Sequence, residues 1–146
     1  RQNYYESLQR VRDHGDWEGW IKFFLIGVRY TCRAALEAAR RITALREDLL
    51  GAAQAASRSS NPARLTDALF RHPYITIAQA AEILDTTAQG GSNVVATLTN
   101  LGILQETTRS GRTRIFAFRP YLDLLHKTSD DLTSAIGQED RLRTSP

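Results

Sequence analysis

The chain has 146 residues, which suits one domain or two small ones, and its 42% hydrophobic and 24% charged residues are ordinary for a globular protein. Its net charge of +3 is too small to imply a nucleic-acid or membrane partner by itself, and its single cysteine, Cys32, excludes an intrachain disulfide and a multi-cysteine metal site. Because the sequence has no bilayer-length apolar run and no signal-peptide pattern, we expect a cytoplasmic protein with no membrane partner.

Two amphipathic helices are predicted in the first third of the chain. In the first, over residues 3–13, apolar residues recur at the spacing of one helical face, and the helix ends at His14-Gly15. Asp16 offers a side-chain acceptor to the first amides of the second helix. There the apolar residues recur at mostly three- and four-residue steps from residue 17 to residue 49. We interpret residues 16–56 as one helix, or two nearly collinear ones, about 60 Å long.

The apolar stripe of this long helix is too long for the first helix to cover. It needs another partner, which is the region that follows, a second copy of the chain, or a domain outside this sequence. We interpret its aromatic residues and Cys32 as core packing, with a ligand-binding box as the alternative for the aromatic residues and a nucleophile as the alternative for Cys32; the aromatic residues are Trp17, Trp20, Phe23 and Phe24. A coiled coil is the alternative, although the repeat drifts without a fixed heptad.

The middle of the chain predicts a linker and two short helices. Residues 57–62 are polar, small and end in proline, as is typical of a linker that leads into a helix start. A helix is predicted over residues 63–71. Thr76, with Gln79 three residues later, predicts a capping box at the start of the next helix.

A turn, a helix and a hairpin complete this pattern. Residues 85–87 form a turn of the length found in a helix-turn-helix, and the helix over residues 88–101 is expected to end at a left-handed glycine. Residues 103–108 and 113–118 are strand-like and are joined by a Gly-containing turn, and a last short helix begins at Pro120. This is the order of a winged helix-turn-helix.

The predicted fold class is therefore mainly α (α+β): a helical segment with a long helix, followed by a winged helix-turn-helix with a small β-hairpin wing. We divide the chain into a helical stalk (1–58), the winged helix-turn-helix (59–126) and a polar, partly disordered tail (127–146).

Two passages resemble one protein family. Residues 4–12 read Tyr-Tyr-x-x-Leu-x-x-Val-Arg, and residues 15–28 read Gly-Asp-Trp-Glu-x-Trp-Ile-x-Phe-Phe-Leu-x-Gly-Val. They resemble the segment just after the catalytic motif of Fic (filamentation induced by cAMP) proteins, so the stalk resembles the C-terminal helices of a Fic domain. Residues 73–84 and 98–104 resemble the C-terminal winged helix of many such proteins. The resemblance covers about residues 1–125.

The resemblance implies a parent nucleotidyltransferase that transfers AMP from ATP, with Mg²⁺, to a hydroxyl of a target protein. The family does this through a His-Pro-Phe-x-x-Gly-Asn-Gly-Arg motif, which this sequence lacks. None of its histidines is followed by a Gly-rich anion loop; they are His14, His72 and His126. We therefore expect no catalytic, cofactor-binding or metal residue and no enzyme activity in this chain, and expect ATP and Mg²⁺ only in a catalytic domain outside it.

The leading interpretation is a non-catalytic regulatory and interaction module of a Fic-type protein AMP-transferase. Because the chain opens at Arg1 without methionine, we expect it to be a piece of such a longer protein. Its expected partners are its own catalytic domain and, through the long helix, a second copy in a homodimer.

The alternative is a DNA-binding winged-helix transcription regulator that uses mainly its wing. Between residues 72 and 108 the chain has no Lys or Arg, so the recognition helix lacks the cations that anchor phosphates. Its candidate base-reading residues are Gln89, Ser92 and Asn93, since Gln and Asn can each pair with adenine. The candidate phosphate contacts are the wing arginines Arg109, Arg112 and Arg114.

The same residues also have a purely structural interpretation. The recognition-helix residues can serve as a scaffold or protein contact, and the wing arginines can protect a sheet edge from unwanted pairing. The adjacent glycines Gly90 and Gly91, which are costly in a helix, indicate a frayed first turn or close backbone approach to another group.

Overall fold

A computed structural model describes the backbone of residues 2–110 and 113–129 and the side chains of residues 4–107 and 113–129. The elements, in chain order, are α1 (Gln2–His14), α2 (Trp17–Ala55), α3 (Asn61–Leu69), β1 (Tyr74–Thr76), α4 (Ile77–Leu84), α5 (Ala88–Asn100), β2 (Leu104–Ser110) and β3 (Thr113–Phe118). Residues 119–129 are helical. The predicted fold class, with a long helix ahead of a winged helix-turn-helix, is confirmed.

The chain forms two compact units, one of Arg1–Ala39 with Lys127–Pro146 and one of Arg40–His126. Helix α2 is one continuous helix of 39 residues, which is the first of the two alternatives predicted from the sequence. Its C-terminal turns contribute Leu49 and Ala53 to the core of the second unit. The sequence-based division into stalk, winged helix and tail stays a prediction, and residues 130–146 of the tail lie outside the described residues.

In the first unit, the break between α1 and α2 has a clear local cause. Gly15 has a φ of +67°, a left-handed conformation that residues with a Cβ rarely adopt. The Asp16 carboxylate accepts a hydrogen bond from the Gly19 amide at 2.9 Å, which satisfies one open donor of the first turn of α2, as predicted.

The predicted core packing of the aromatic residues on α2 is wrong for half of them. Trp17 is 63% exposed and Phe24 is 52% exposed, whereas Trp20 and Phe23 are half-buried. Cys32, predicted to be buried on the same stripe, is also exposed. The residue types identified an apolar helix face correctly, but they did not reveal that this face would lack a cover among the described residues.

The second unit has a hydrophobic core drawn from α2, all three shorter helices and all three strands. Its fully buried large side chains include Leu65, Leu69, Ile75, Leu98, Ile103, Leu104 and Phe118. The aromatic rings of Phe70, Phe118 and Tyr121 pack together beside it, with centroids 4.9 to 5.6 Å apart. This core fixes the helix-turn-helix and the hairpin relative to each other.

The sheet has three antiparallel strands in the order β1-β3-β2. Strands β2 and β3 were predicted as a hairpin, whereas β1 was missed, because its three residues, which end at the cap residue Thr76, are too few for an alternating pattern to stand out. Tyr74, Ile75 and Thr76 pair with β3, which becomes the central strand.

The start of α4 and the end of α5 have the capping residues that the sequence predicts. The Thr76 hydroxyl accepts from the Gln79 amide at 3.2 Å, and the Gln79 side chain accepts from the Thr76 amide at 2.9 Å, a complete capping box. Asp85 ends α4 in the left-handed region, with φ at 51°. Gly102 follows α5 with φ at +72°, as predicted.

Candidate nucleic-acid interface

The exposed face of α5 is polar and uncharged. Gln89, Asn93, Ala96 and Asn100 are exposed on one side of the helix, with Ser92 half-buried beside them. The opposite side carries the buried residues Gly91, Val94, Val95 and Leu98. The three residues predicted to read bases therefore lie together on the solvent side of the second helix of the helix-turn-helix.

The two amides on this face already interact. Gln89 Nε2 donates to Asn93 Oδ1 at 2.9 Å, one helical turn away. A carboxamide has two N–H donors and an oxygen with two lone pairs, so each side chain keeps a donor and acceptor capacity after this bond is made. The pair is thus held in place and still has the donor and acceptor that recognition of an adenine edge requires.

The glycine pair at the start of α5 has a packing explanation. A Cβ at position 91 would stand 2.9 Å from the backbone nitrogen of Ala81 and 3.0 Å from its Cα. Gly91 therefore allows α4 and α5 to approach closely, which is one of the two predicted roles of the pair. At position 90 a Cβ would instead meet the Thr86 side chain, 2.5 Å from its Oγ1.

The first turn of α5 is capped. The hydroxyl of Thr87, the residue just before the helix, accepts a hydrogen bond from the Gly90 amide at 3.1 Å. The alternative prediction from the glycines, a frayed first turn of α5, is therefore wrong.

The wing is the hairpin of β2 and β3. Arg109 pairs with Arg114 and Ser110 with Thr113 in the strand register, and the register shifts between Glu106 and Thr108. Of the three predicted phosphate contacts, Arg114 is described in full and Arg109 by its backbone alone. Arg112 lies outside the described residues.

Arg114 makes a two-point contact with the opposite strand. Its Nε donates to Glu106 Oε1 at 3.0 Å and its Nη2 to Glu106 Oε2 at 2.6 Å. The guanidinium carbon also lies 5.1 Å from the centroid of the Phe116 ring, within the range of a cation–π interaction. The hydrogen bond from Arg114 to Glu106 raises the pKa of Arg114 above its usual value.

The pairing of Arg114 with Glu106 was not anticipated from the sequence. Eight positions separate the two residues, and the register shift after Glu106 means that a simple hairpin alignment does not place them together. The only available signal was that Glu106 is one of three acidic residues between residues 72 and 108.

A shallow cavity of about 180 Å³ joins α5 to the wing. Ser92, Ala96, Thr99 and Asn100 line it from α5, and Glu106 and Arg114 line it from the hairpin. Ser92, Ala96 and Asn100 of α5 therefore adjoin the ion pair of the wing, whereas Gln89 and Asn93 do not line this cavity.

Two other arginines of the second unit, Arg46 and Arg119, form side-chain hydrogen bonds. Arg46 of α2 bonds to Asp67 of α3 through Nε at 2.9 Å and through Nη2 at 2.5 Å. Arg119, which follows the wing, donates from Nε to Gln105 Oε1 at 2.9 Å. Arg64 on α3 is exposed, with a long contact of 3.4 Å to Asn61. Arg64 is a further cation that the sequence analysis did not single out.

Metal and membrane sites are not found in the part of the chain that the structure describes. Among these residues, no group of three or more His, Cys, Asp and Glu side chains could hold a metal ion. Within the same residues, no helix has the length and apolar content needed to cross a membrane.

No protein family model matches the chain. Its structure is similar to that of TrmBL2, an archaeal chromatin protein whose structure shows a novel mode of DNA binding, with 18% identity and a TM-score of 0.39; the match covers 67% of this chain but only 37% of TrmBL2. It is also similar to RV1404 from Mycobacterium tuberculosis, with 15% identity, a TM-score of 0.38 and 82% of each chain covered. At these scores the likenesses carry no argument about function.

Proposed function

We propose that the second unit binds duplex DNA, as a winged-helix transcription regulator does, with α5 in the major groove and the wing on the backbone. The observation that carries this proposal is that the exposed, uncharged side of α5 borders the hairpin that bears Arg114, through Ser92, Ala96 and Asn100. A major groove admits one α-helix, and Gln and Asn are suited to adenine edges. Phosphates need cations, which this surface has on the wing.

The two parts of this surface have separate tasks. Contacts to phosphate supply affinity without sequence information, whereas contacts to base edges supply discrimination. With no Lys or Arg between residues 72 and 108, α5 contributes little to affinity. The wing residues Arg109, Arg112 and Arg114 instead provide the affinity by neutralising phosphates. Binding to DNA is therefore expected to depend strongly on salt concentration.

The proposal is tested by fluorescence anisotropy with a labelled duplex of about 25 base pairs, titrated at about 50 to about 200 mM salt. Changing Arg109, Arg112 and Arg114 together to Ala is expected to weaken binding and to flatten the plot of log affinity against log salt by up to about 0.9 for each phosphate that is no longer neutralised. Retained binding with an unchanged slope would contradict the role of the wing, and no binding by the unaltered chain would contradict the proposal itself.

A matched variant separates reading from anchoring. Replacing Gln89 and Asn93 with Ala removes the amide pair without changing any charge. Discrimination between a selected site and random sequence is expected to fall by about 1–3 kcal/mol for each adenine that is no longer hydrogen-bonded, while the salt slope stays the same. A changed slope with unchanged discrimination would reverse the assignment of the two tasks.

As a second candidate function, we propose that the first unit docks on a Fic-type catalytic domain, so that the chain is a non-catalytic module of a protein AMP-transferase. Its support is that the exposed apolar face of α2 lies within the passage that resembles Fic proteins. The exposed residues there are Trp17, Ile21, Phe24, Leu25 and Val28. A contiguous apolar surface of this kind is typical of a protein interface.

Trp20 adds to this support. Its ring stacks on Phe24, with centroids 5.5 Å apart, and its Nε1 is buried with no hydrogen-bond partner among the described residues. A buried donor without an acceptor costs about 1–3 kcal/mol, so the N-terminal half of α2 is incompletely satisfied without a partner.

Two measurements distinguish the two candidate partners of the apolar face of α2, a Fic-type catalytic domain and a second copy of the chain. The reading frame upstream of Arg1 is expected to encode a His-Pro-Phe-x-x-Gly-Asn-Gly-Arg motif, and a frame without it would contradict this second candidate. Sedimentation velocity of the chain alone tests the competing occupant, a second copy. A dimer that disappears when Phe24 and Leu25 are changed to Ser would assign the face to self-association instead.

A further inference from the structure

We propose that Glu106 is a built-in competitor for the phosphate that Arg114 would bind. This inference rests on the proposed DNA-binding function of the wing. Glu106 occupies both Nε and Nη2 of Arg114, at 3.0 and 2.6 Å. That edge of a guanidinium, with two parallel N–H donors, is also an edge that binds a phosphate in the two-point mode. In the conformation described, the carboxylate therefore takes the place of the nucleic-acid ligand.

The position of the pair makes this exchange feasible. The side chains of Arg114 and Glu106 are 44% and 30% exposed, so both are in contact with solvent. An ion pair of that kind contributes little to stability, and its separation is not a large barrier. The Phe116 ring centroid lies 5.1 Å from the guanidinium carbon of Arg114. This cation–π contact keeps the guanidinium at the wing surface when its ion pair with Glu106 separates.

Glu106 also opposes DNA after the exchange. Its carboxylate lines the same cavity as Arg114, between the wing and α5, and stays there as a negative charge beside the incoming phosphate. Neighbouring like charges repel each other. Glu106 therefore lowers the affinity for DNA in two ways: it occupies the guanidinium of Arg114, and it repels the phosphate that would take its place there. The residue thus sets how tightly, and up to what salt concentration, the wing holds DNA.

The decisive variant is Glu106→Gln, which removes the charge and keeps the shape. It is expected to bind the labelled 25-base-pair duplex about two- to fivefold more tightly at about 50 mM salt, the size of an exposed ion-pair effect. The slope of log affinity against log salt is expected to steepen by up to about 0.9, because Arg114 neutralises one more phosphate. A purely structural role for Glu106 would not steepen this slope.

Two controls isolate the effect. Glu47→Gln makes the same change in net charge at an exposed position of α2, outside the helix-turn-helix and the wing, and is expected to match the unaltered chain. In a chain that already carries Arg114→Ala, Glu106→Gln is expected to lose most of its gain. Glu106→Ser also removes the charge and is expected to show the same gain in affinity for the duplex. Two different substitutions guard against a folding defect in one of them.

Each result has one meaning. If Glu106→Gln binds no better than the unaltered chain or than Glu47→Gln, or if its full gain persists without Arg114, this inference is wrong while the DNA-binding proposal stands. If neither the unaltered chain nor any variant binds the duplex, the DNA-binding proposal is wrong and this inference falls with it.

Discussion

The two units differ in what they do with their apolar residues. In the second unit, Leu65, Leu98 and Phe118 are fully buried in a shared core. In the first, Trp17, Phe24 and Leu25 are more than half exposed on one face of α2. Hydrophobic residues at helical spacing therefore indicate a face to be covered, and only a neighbouring element in the right place turns that face into a core.

The largest expected effect tests this difference directly. Changing Leu98 to Ala should lower the free energy of unfolding by about 2–5 kcal/mol, because it leaves a cavity in the core of the second unit. Changing Leu25 to Ala should cost no more than about 0.5 kcal/mol. Urea denaturation followed by circular dichroism measures both, and equal losses would mean that the α2 face is covered in solution.

A pair of glycines gives the next largest effect. Gly91→Ala forces a Cβ against the Ala81 backbone and should destabilise the fold by about 1–3 kcal/mol. Gly27→Ala places a Cβ where nothing lies within 4 Å and should stabilise by about 0.5–1 kcal/mol, because alanine is the better helix former. The same substitution is thus expected to have opposite signs in the two units. Thermal melting of both variants measures these changes in stability. A stability change of the same sign in both variants would contradict the proposed difference between the two units.

The capping box of α4 should contribute a smaller amount. Thr76→Ala removes the acceptor of the Gln79 amide and should cost about 1 kcal/mol in urea denaturation. Thr97→Ala is the matched control, since the Thr97 hydroxyl only donates to the Asn93 carbonyl within α5. A loss from Thr97→Ala as large as that from Thr76→Ala would show that the cap has no special role.

The smallest effect on stability should come from the apolar face of α2. Changing Phe24 and Leu25 together to Ser should lower the free energy of unfolding by less than about 1 kcal/mol, because both side chains are more than half exposed and the main loss is the stack of Phe24 on Trp20. Binding of a hydrophobic dye to the native chain should nevertheless fall. Unchanged dye binding would mean that this face is not the main exposed apolar surface.

Much of the fold follows from local patterns that act within a few residues. The break at Gly15, the cap at Thr76 and the left-handed Gly102 were predicted correctly because each depends on one residue type at one position. Strand β1 was missed because its pairing with β3 joins segments about 40 residues apart. A contact between distant segments leaves little trace in either segment alone.

The candidate site divides in the same way. Gln89, Ser92 and Asn93 were placed on the solvent side of α5 by helical periodicity, and the structure has them there. The partner of Arg114 could not be foreseen, because Arg114 pairs with Arg109 in the strand register and only the register shift in β2 brings Glu106 within reach of it. Likewise, periodicity alone does not explain Gly91, whose role appears only once α4 is packed against it.

By itself, the sequence determined the helices, the caps at Asp16 and Thr76, the hairpin and the absence of cations from the recognition helix, because these depend on spacing and residue type. The tertiary structure decided which apolar face is buried, why Gly91 is required, and that Arg114 of the wing is held by Glu106. These depend on distances between segments far apart in the chain, and such distances are set by packing of the whole unit rather than by any local preference.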